Sequence, residues 1–161
     1  MDATILSHLQ LTHRSVNLER FALAYSDLLS KLWLNPDLPL NPLACQAAET
    51  LGFPVARVVE RVERKRSSDL EVIGGMLSPA CYIDHCFPAV LYLAARYSDD
   101  FAAALVANTN VGGDNCHRGA VLGALLGAAL GLSAIPQRWI AGLTRQRELD
   151  EEIESFVECF A

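Results

Sequence analysis

Four glycines at intervals of four residues, Gly119, Gly123, Gly127 and Gly131, constrain this sequence more than any other feature. Each glycine inside a helix costs about 0.5–1 kcal/mol relative to alanine, so a helix that carries several of them needs a compensating contact. Residues at i and i+4 lie on one row of a helix, and a row of glycine forms a flat ridge that another helix can approach closely. The spacing therefore predicts a buried central helix whose glycine ridge packs against a neighbouring helix.

The segment before this helix predicts a tight polar turn that faces a ligand. Residues 107–114 read A-N-T-N-V-G-G-D. Gly112 and Gly113 allow positive φ and let a ligand approach the main chain, so a phosphate or ribose packed against their amides is one interpretation. Asn108 and Asn110 are predicted either to stabilise the turn through bonds to the backbone or to contact the substrate directly.

Two charged residues open the glycine-rich helix, and each has two interpretations. Asp114 is a favourable N-cap because a carboxylate suits the positive end of a helix, and a ligand-facing role is compatible with capping. Arg118 lies in the first turn, where the helix dipole disfavours a cation. We expect Arg118 either to pair with Asp84 or Asp114, or to bind a ligand phosphate.

Length and composition indicate one globular domain. The chain has 161 residues, enough for a substantial core. Hydrophobic residues make up 52% and charged residues 20%, which favours mostly buried helices. The net charge of −6 argues against a surface that binds nucleic acid or an acidic membrane. We therefore expect a single all-helical domain over residues 1–161.

Three features bear on the compartment. The longest apolar run, residues 120–136, is shorter than the roughly 18 residues that a bilayer span requires. The first ten residues lack the basic start and apolar centre of a signal peptide. The five cysteines have no framework spacing and suit reduced thiols. Together these features predict a cytoplasmic protein without membrane or nucleic-acid partners.

The spacing of apolar residues, prolines and capping residues predicts an all-α fold, a compact orthogonal helix array. Residues 67–79 are predicted to be mostly loop after a short helical turn, and residues 81–88 to be a polar loop. Trp33 and Trp139 are expected in the core. The predicted helices run over 16–34, from Pro42 to Gly52, from Pro54 onward, from Pro88 to Tyr97, from Ser98 or Asp99 to about Asn108, from Ile135 through Leu143, and over 144–161. The last of them carries an apolar stripe made of Leu149, Ile153, Phe156, Val157 and Phe160.

Cysteine and histidine recur in two nearby segments. If residues 81–88 face the Gly-Gly turn, several of these side chains converge, and a zinc or iron site is one interpretation. Because the spacings match no standard zinc pattern, buried free cysteines and ordinary histidines are the other. The residues concerned are Cys81, His85, Cys86, Cys116 and His117.

Residues 81–143 resemble the ADP-ribosylglycohydrolase family. Its members carry A-V-N-x-G-G-D-x-D-T, then a helix with G-A-L-x-G-A-x-x-G, then I-P-x-x-W. Here the corresponding text is A-N-T-N-V-G-G-D-N-C-H at 107–117, G-A-L-L-G-A-A-L-G at 123–131 and I-P-Q-R-W at 135–139. The resemblance implies an all-helical fold and hydrolysis of a glycosidic bond to ADP-ribose or a related nucleotide, free or on a modified protein.

The resemblance also implies a metal site, which this sequence alters. In the family the two acidic positions of G-G-D-x-D-T bind a pair of magnesium ions, with help from the threonine hydroxyl. Asp114 stands at the first acidic position, Cys116 at the second and His117 at the threonine. Mg²⁺ is therefore expected by resemblance, whereas a thiolate and an imidazole suit zinc or iron better.

Two further family segments, G-D-x-x-G and T-D-D-T, do not occur in this sequence. L-T-H at residues 11–13 resembles a mid-chain segment of the family, so nearly all of the chain would correspond to the C-terminal part of a longer family domain. Three functions remain open: a hydrolase completed by a partner chain, by a second copy or by a changed metal; a non-catalytic ligand-binding or interaction module; and a Cys/His transition-metal site. The sequence does not assign a catalytic residue.

Overall fold

The all-α prediction is confirmed. The structure, a computed structural model, describes residues 2–159, which form helices and no strand. A π-helical turn, Ile73–Leu77, follows α5, and a 3-10 turn, Leu132–Ala134, follows α8. No helix in this range combines the length and the hydropathy that crossing a bilayer requires. The helices are α1 Asp2–Leu9, α2 Val16–Leu34, α3 Leu40–Thr50, α4 Val55–Lys65, α5 Asp69–Val72, α6 Ile83–Arg96, α7 Phe101–Val111, α8 Asn115–Leu130, α9 Gln137–Ala141 and α10 Gln146–Glu158.

The central helix is α6, so the prediction of the glycine-rich helix at the centre is wrong. Every residue from 86 to 95 is buried, and α6 packs against α2, α3, α4, α7 and α8. A helix that is apolar on all sides is the one a core encloses. Helix α8 buries only one face, formed by Arg118, Leu122, Leu125 and Leu126.

The glycine ridge of α8 packs against a helix at one position only. A Cβ at Gly119 would lie 2.9 Å from Nδ2 of Asn108 on α7, whereas one at Gly123 or Gly127 would meet no atom within 4 Å. Gly131 ends α8 with a φ of 76°. The predicted close approach of a neighbouring helix is therefore wrong for Gly123 and Gly127. Gly123 instead lines an apolar groove of about 720 Å³ between α7, α8, α9 and α10.

Helix α6 begins before Pro88, so the predicted polar loop over residues 81–88 is wrong from Ile83 onward. The carbonyl of Tyr82 accepts from the backbone N–H of Cys86 at 2.8 Å and closes the first turn. Proline inside a helix removes one hydrogen bond and crowds the preceding turn. Burial of Phe87, Pro88 and their neighbours offsets that cost.

Several other boundaries differ from the predictions. Helix α3 begins at Leu40, since Pro42 fits a first turn, whose N–H groups need no helical partner. The segment 67–79 is more helical than predicted, because Ser68 and Glu71 form a capping box and α5 continues into the π-helical turn. Helix α7 begins after Asp100, whose Oδ1 accepts from the N–H of Ala103 at 2.8 Å, and not after Ser98 or Asp99.

The prediction that both tryptophans lie in the core is wrong for Trp33, whereas Trp139 packs against the core. Trp33 is 69% exposed at the end of α2, while Trp139 is half-buried beside Phe101, with 6.3 Å between the ring centroids. The tail forms α10 as expected, and Leu149 and Ile153 of its apolar stripe border the apolar groove. The described members of the stripe are nevertheless exposed, namely Leu149, Ile153, Phe156 and Val157. Phe160, the last member of that stripe, lies outside the described residues.

Candidate active site

A cavity of about 300 Å³ lies between the first turns of α6 and α8. One wall is apolar and consists of Ile83, Phe87, Val90 and Val121. The remaining lining consists of groups that can carry chemistry, namely Cys81, Cys86, Asp114 and His117. Helix α6 begins at Ile83, before Pro88, so Cys86, Phe87 and Val90 lie on one helix face, toward α8, and line the cavity.

The Gly-Gly turn is held against the loop that precedes α6. Gly112 and Gly113 have φ values of 72° and 65°, in the region that favours glycine. The backbone N–H of Asp114 donates to the carbonyl of Pro79 at 2.9 Å. A Cβ at Gly113 would lie 2.2 Å from that carbonyl oxygen, so only glycine permits this approach. The contact fixes Asp114 at the rim of the cavity.

Asp114 is bonded to a side chain and does not cap the helix through its carboxylate. It occupies the N-cap position of α8, but its side chain accepts no backbone N–H there. Its Oδ1 lies 2.7 Å from Nδ1 of His117, one helical turn along. The carboxylate side chain is 19% exposed and the imidazole side chain 85% exposed. The pair therefore presents the imidazole to solvent at the cavity.

Arg118 is buried and binds the end of α7. Its Nε donates to Oδ1 of Asn108 at 2.6 Å, and its Nη2 donates to the carbonyls of Asn108 and Gly112 at 3.1 and 2.8 Å. A cation is favoured at the C-terminal carbonyls of a helix, which explains a charge that the dipole of α8 alone would disfavour. Arg118 makes no ion pair with Asp84 or Asp114 in the described chain, so the predicted pairing is wrong.

Burial also shifts the pKa values of Arg118 and of the neighbouring Cys86. Its Nη1 is buried without a hydrogen-bond partner. Desolvation lowers the pKa of Arg118, and the nearby Cys86 and Asp114 act in the opposite direction. Desolvation raises the pKa of the Cys86 thiol, which the Arg118 charge partly offsets. Cys86 is therefore held in its neutral form at the back of the cavity.

The other predicted substrate-binding residues are mostly structural or distant. Asn108 is buried, and its Nδ2 donates to the carbonyl of Asn115 at 2.9 Å, so it joins α7 to α8. Asn110 is exposed on α7 and borders the apolar groove instead of the cavity. Gly112 contributes its carbonyl to Arg118, and Gly113 supplies the contact with Pro79. A direct contact of these four residues with substrate stays a prediction.

The Cys/His set converges only in part. Cys81, Cys86 and His117 share the cavity. Cys116 is exposed and its thiol donates to Oδ1 of Asn115 at 3.5 Å, while His85 packs against the ring of Tyr82. The prediction of buried free cysteines is confirmed for Cys86 and wrong for Cys81 and Cys116, which are exposed.

The side chains present do not fit the metals that the resemblance implies. Mg²⁺ requires an octahedral set of oxygen ligands. Asp114 is the one carboxylate that lines the cavity within residues 2–159, and its Oδ1 is engaged by His117. Cys116, at the second acidic position, does not line the cavity. Nowhere in the described chain do three Cys, His, Asp or Glu side chains have the arrangement that zinc or iron would need.

Sequence reasoning missed the apolar wall of the cavity and the contact between the Gly-Gly turn and Pro79. The signal for the wall is the helical spacing of Ile83, Phe87 and Val90, which suits a helix that begins before Pro88. The contact between Gly113 and Pro79 joins segments that are 34 residues apart, and no local pattern reports it.

The whole chain is similar to one known family. The profile of that family, described as ADP-ribosylglycohydrolase, matches residues 4–161, so the chain belongs to the ADP-ribosylglycohydrolase family. No curated protein and no solved structure matches the chain. Membership supports a glycohydrolase-like function at the level of the family.

Proposed function

We propose that this member of the family binds an ADP-ribose-like ligand, free or attached to a protein, in the cavity between α6 and α8. The observation that most supports this proposal is the Gly-Gly-Asp turn, which the contact with Pro79 holds in one position. A carboxylate only accepts hydrogen bonds, and a ribose offers hydroxyl donors. The cavity, at about 300 Å³, accommodates the ribose end of such a ligand against its apolar wall.

The reaction class proposed is hydrolysis of the glycosidic bond that joins ADP-ribose to a nitrogen or an oxygen atom. Asp114 would bind the ribose hydroxyls and place the anomeric carbon at the open side of the cavity, where water enters. Ile83, Phe87 and Val90 would cover one face of the sugar. No metal forms part of the proposal, because the donor set does not fit one.

A second function, binding of the same ligand without cleavage, is favoured by one observation. Most glycosidases use two carboxylates, and within residues 2–159 only Asp114 lines the cavity. A partner chain or a second copy that covers the cavity would supply a second acidic group.

Calorimetric titration of the full chain with ADP-ribose tests the proposed site. Asp114→Ala removes the acceptor at the rim, and we expect its affinity for ADP-ribose to fall at least about 10-fold, the effect of losing one or two hydrogen bonds. Asp84→Ala is the matched control, because Asp84 is exposed near the cavity and does not line it. Equal affinities for the two variants would refute the role of Asp114. Release of ADP-ribose from a modified peptide, followed by chromatography, separates hydrolysis from binding alone.

A further inference from the structure

His117 and Asp114 form a carboxylate–imidazole pair whose hydrogen bond determines which ring nitrogen carries the proton. Nδ1 of His117 lies 2.7 Å from Oδ1 of Asp114. A carboxylate only accepts hydrogen bonds, so Nδ1 donates and carries the hydrogen. In the neutral ring Nε2 then has a free lone pair. A carboxylate that orients an imidazole in this way is the arrangement that enzymes use to remove a proton from a nucleophile.

The surroundings fix the carboxylate and leave the imidazole accessible. Asp114 is tied through its backbone N–H to Pro79, and Gly113 packs directly on Pro79. The imidazole is 85% exposed, and both side chains line the cavity. Nε2 is therefore within reach of both water and a ligand in the cavity. Cys116 points elsewhere, toward Asn115, and takes no part in the pair.

We propose that His117 is a catalytic general base that works without a metal, and that Asp114 positions it. This inference rests on the proposed function, in which ADP-ribose occupies the cavity. It also accounts for the disagreement with the magnesium site of the family. The sequence replaces a carboxylate and a hydroxyl by Cys116 and His117, which leaves no oxygen set for two ions but creates an imidazole bonded to Asp114.

The step transfers one proton and exchanges one bond. Nε2 of His117 takes a proton from water while the water oxygen forms a bond to the anomeric carbon. The bond from that carbon to the leaving nitrogen or oxygen breaks, and its electron pair goes to the leaving atom. That atom takes a proton from solvent, and His117 returns its own proton to solvent. The products are ADP-ribose and the unmodified side chain, and no oxidant or reductant is needed.

The test uses the full chain and two peptides, one with ADP-ribose on arginine through nitrogen and one with ADP-ribose on serine through oxygen. Release of ADP-ribose from at least one peptide should be unchanged by EDTA. His117→Gln should slow it by about 100-fold to 10,000-fold, the usual contribution of a general base. Because the imidazole removes a proton and does not hold the ligand, the affinity of His117→Gln for ADP-ribose should differ from that of the wild type by less than a factor of about 3. Added imidazole should partly restore the rate of His117→Ala, which a purely structural role would not allow.

The control is His8→Gln, which removes an exposed imidazole on α1, far along the chain from the cavity, and should leave the rate unchanged. If the wild-type chain does not bind ADP-ribose, the proposed function fails, and the base role fails with it. Binding without release, release that EDTA abolishes, or an unchanged rate in His117→Gln refutes the base role alone and leaves the binding proposal standing.

Discussion

Asp69 connects α5 to the C-terminal end of the central helix through three hydrogen bonds. Its carboxylate accepts from the hydroxyls of Tyr92 and Tyr97 at 2.8 and 2.6 Å, and from Nη1 of Arg96 at 2.9 Å. Burial is the largest cause that raises the pKa of both tyrosines, and Asp69 adds to it. The side chains of this cluster are largely shielded from water, so its ionisation is linked to stability.

Tyr97 gives this cluster a measurable pH dependence. Burial and Asp69 raise the pKa of Tyr97 to about 12 in the folded chain, whereas the ordinary value is 10.0. A raised pKa contributes stability that is complete below pH 10.0 and is lost as the pH rises toward 12. Urea unfolding should therefore show a free energy that falls over this interval, with a shallower fall in Tyr97→Phe. Tyr82→Phe, which alters an exposed tyrosine, should keep the wild-type slope. Identical slopes for wild type and Tyr97→Phe would contradict the linkage.

In helix α8 the glycine pattern predicts the helix correctly but not which glycines a neighbouring helix covers. The four-residue glycine period correctly marks a helix, and Gly131 ends it. The period does not say which face is covered, since a small side chain suits both close packing and open space. In the structure Gly119 is in close contact with Asn108, while Gly123 and Gly127 are open.

Alanine substitutions along α8 separate these two environments. Gly123→Ala should raise the free energy of unfolding by about 0.5–1 kcal/mol, because alanine favours the helix and its Cβ meets no atom within 4 Å. Gly119→Ala is the matched comparison and should lower it, because the added Cβ would lie 2.9 Å from Nδ2 of Asn108. Both values are measurable by urea unfolding. A loss of stability in Gly123→Ala as large as in Gly119→Ala would mean that the ridge is packed along its whole length.

The helices whose signals are local were predictable, and those that depend on distant contacts were not. Helix α2 has the predicted bounds, Val16–Leu34, because Ser15 caps it and a proline-rich segment follows. For α6 the sequence predicts a start at Pro88, because proline suits a first turn, whereas the helix begins at Ile83. The sequence identified Asp114 and His117 at one turn but could not show that they bond to each other or share a cavity with Cys86.

At the scale of the whole molecule, the cavity and the apolar groove lie on opposite sides of helix α8. The smaller one, about 300 Å³, carries Asp114 and His117, and Val121 contributes to its apolar wall. The larger apolar groove, about 720 Å³, is lined by Ala120 and Gly123. Ala120 and Val121 are adjacent on the helix, but Ala120 borders the apolar groove and Val121 borders the cavity. A large side chain at one of these positions therefore fills one site without changing the other.

Filling the cavity that carries Asp114 tests most directly whether ADP-ribose binds there. Val121→Trp places a large ring in the cavity, whereas Ala120→Trp places the same ring in the apolar groove. Calorimetric titration of the two folded variants with ADP-ribose compares them. We predict that Val121→Trp loses at least about 10-fold in affinity, or about 1.4 kcal/mol, while Ala120→Trp binds as the wild type does. Wild-type affinity in Val121→Trp would contradict the assignment of the site.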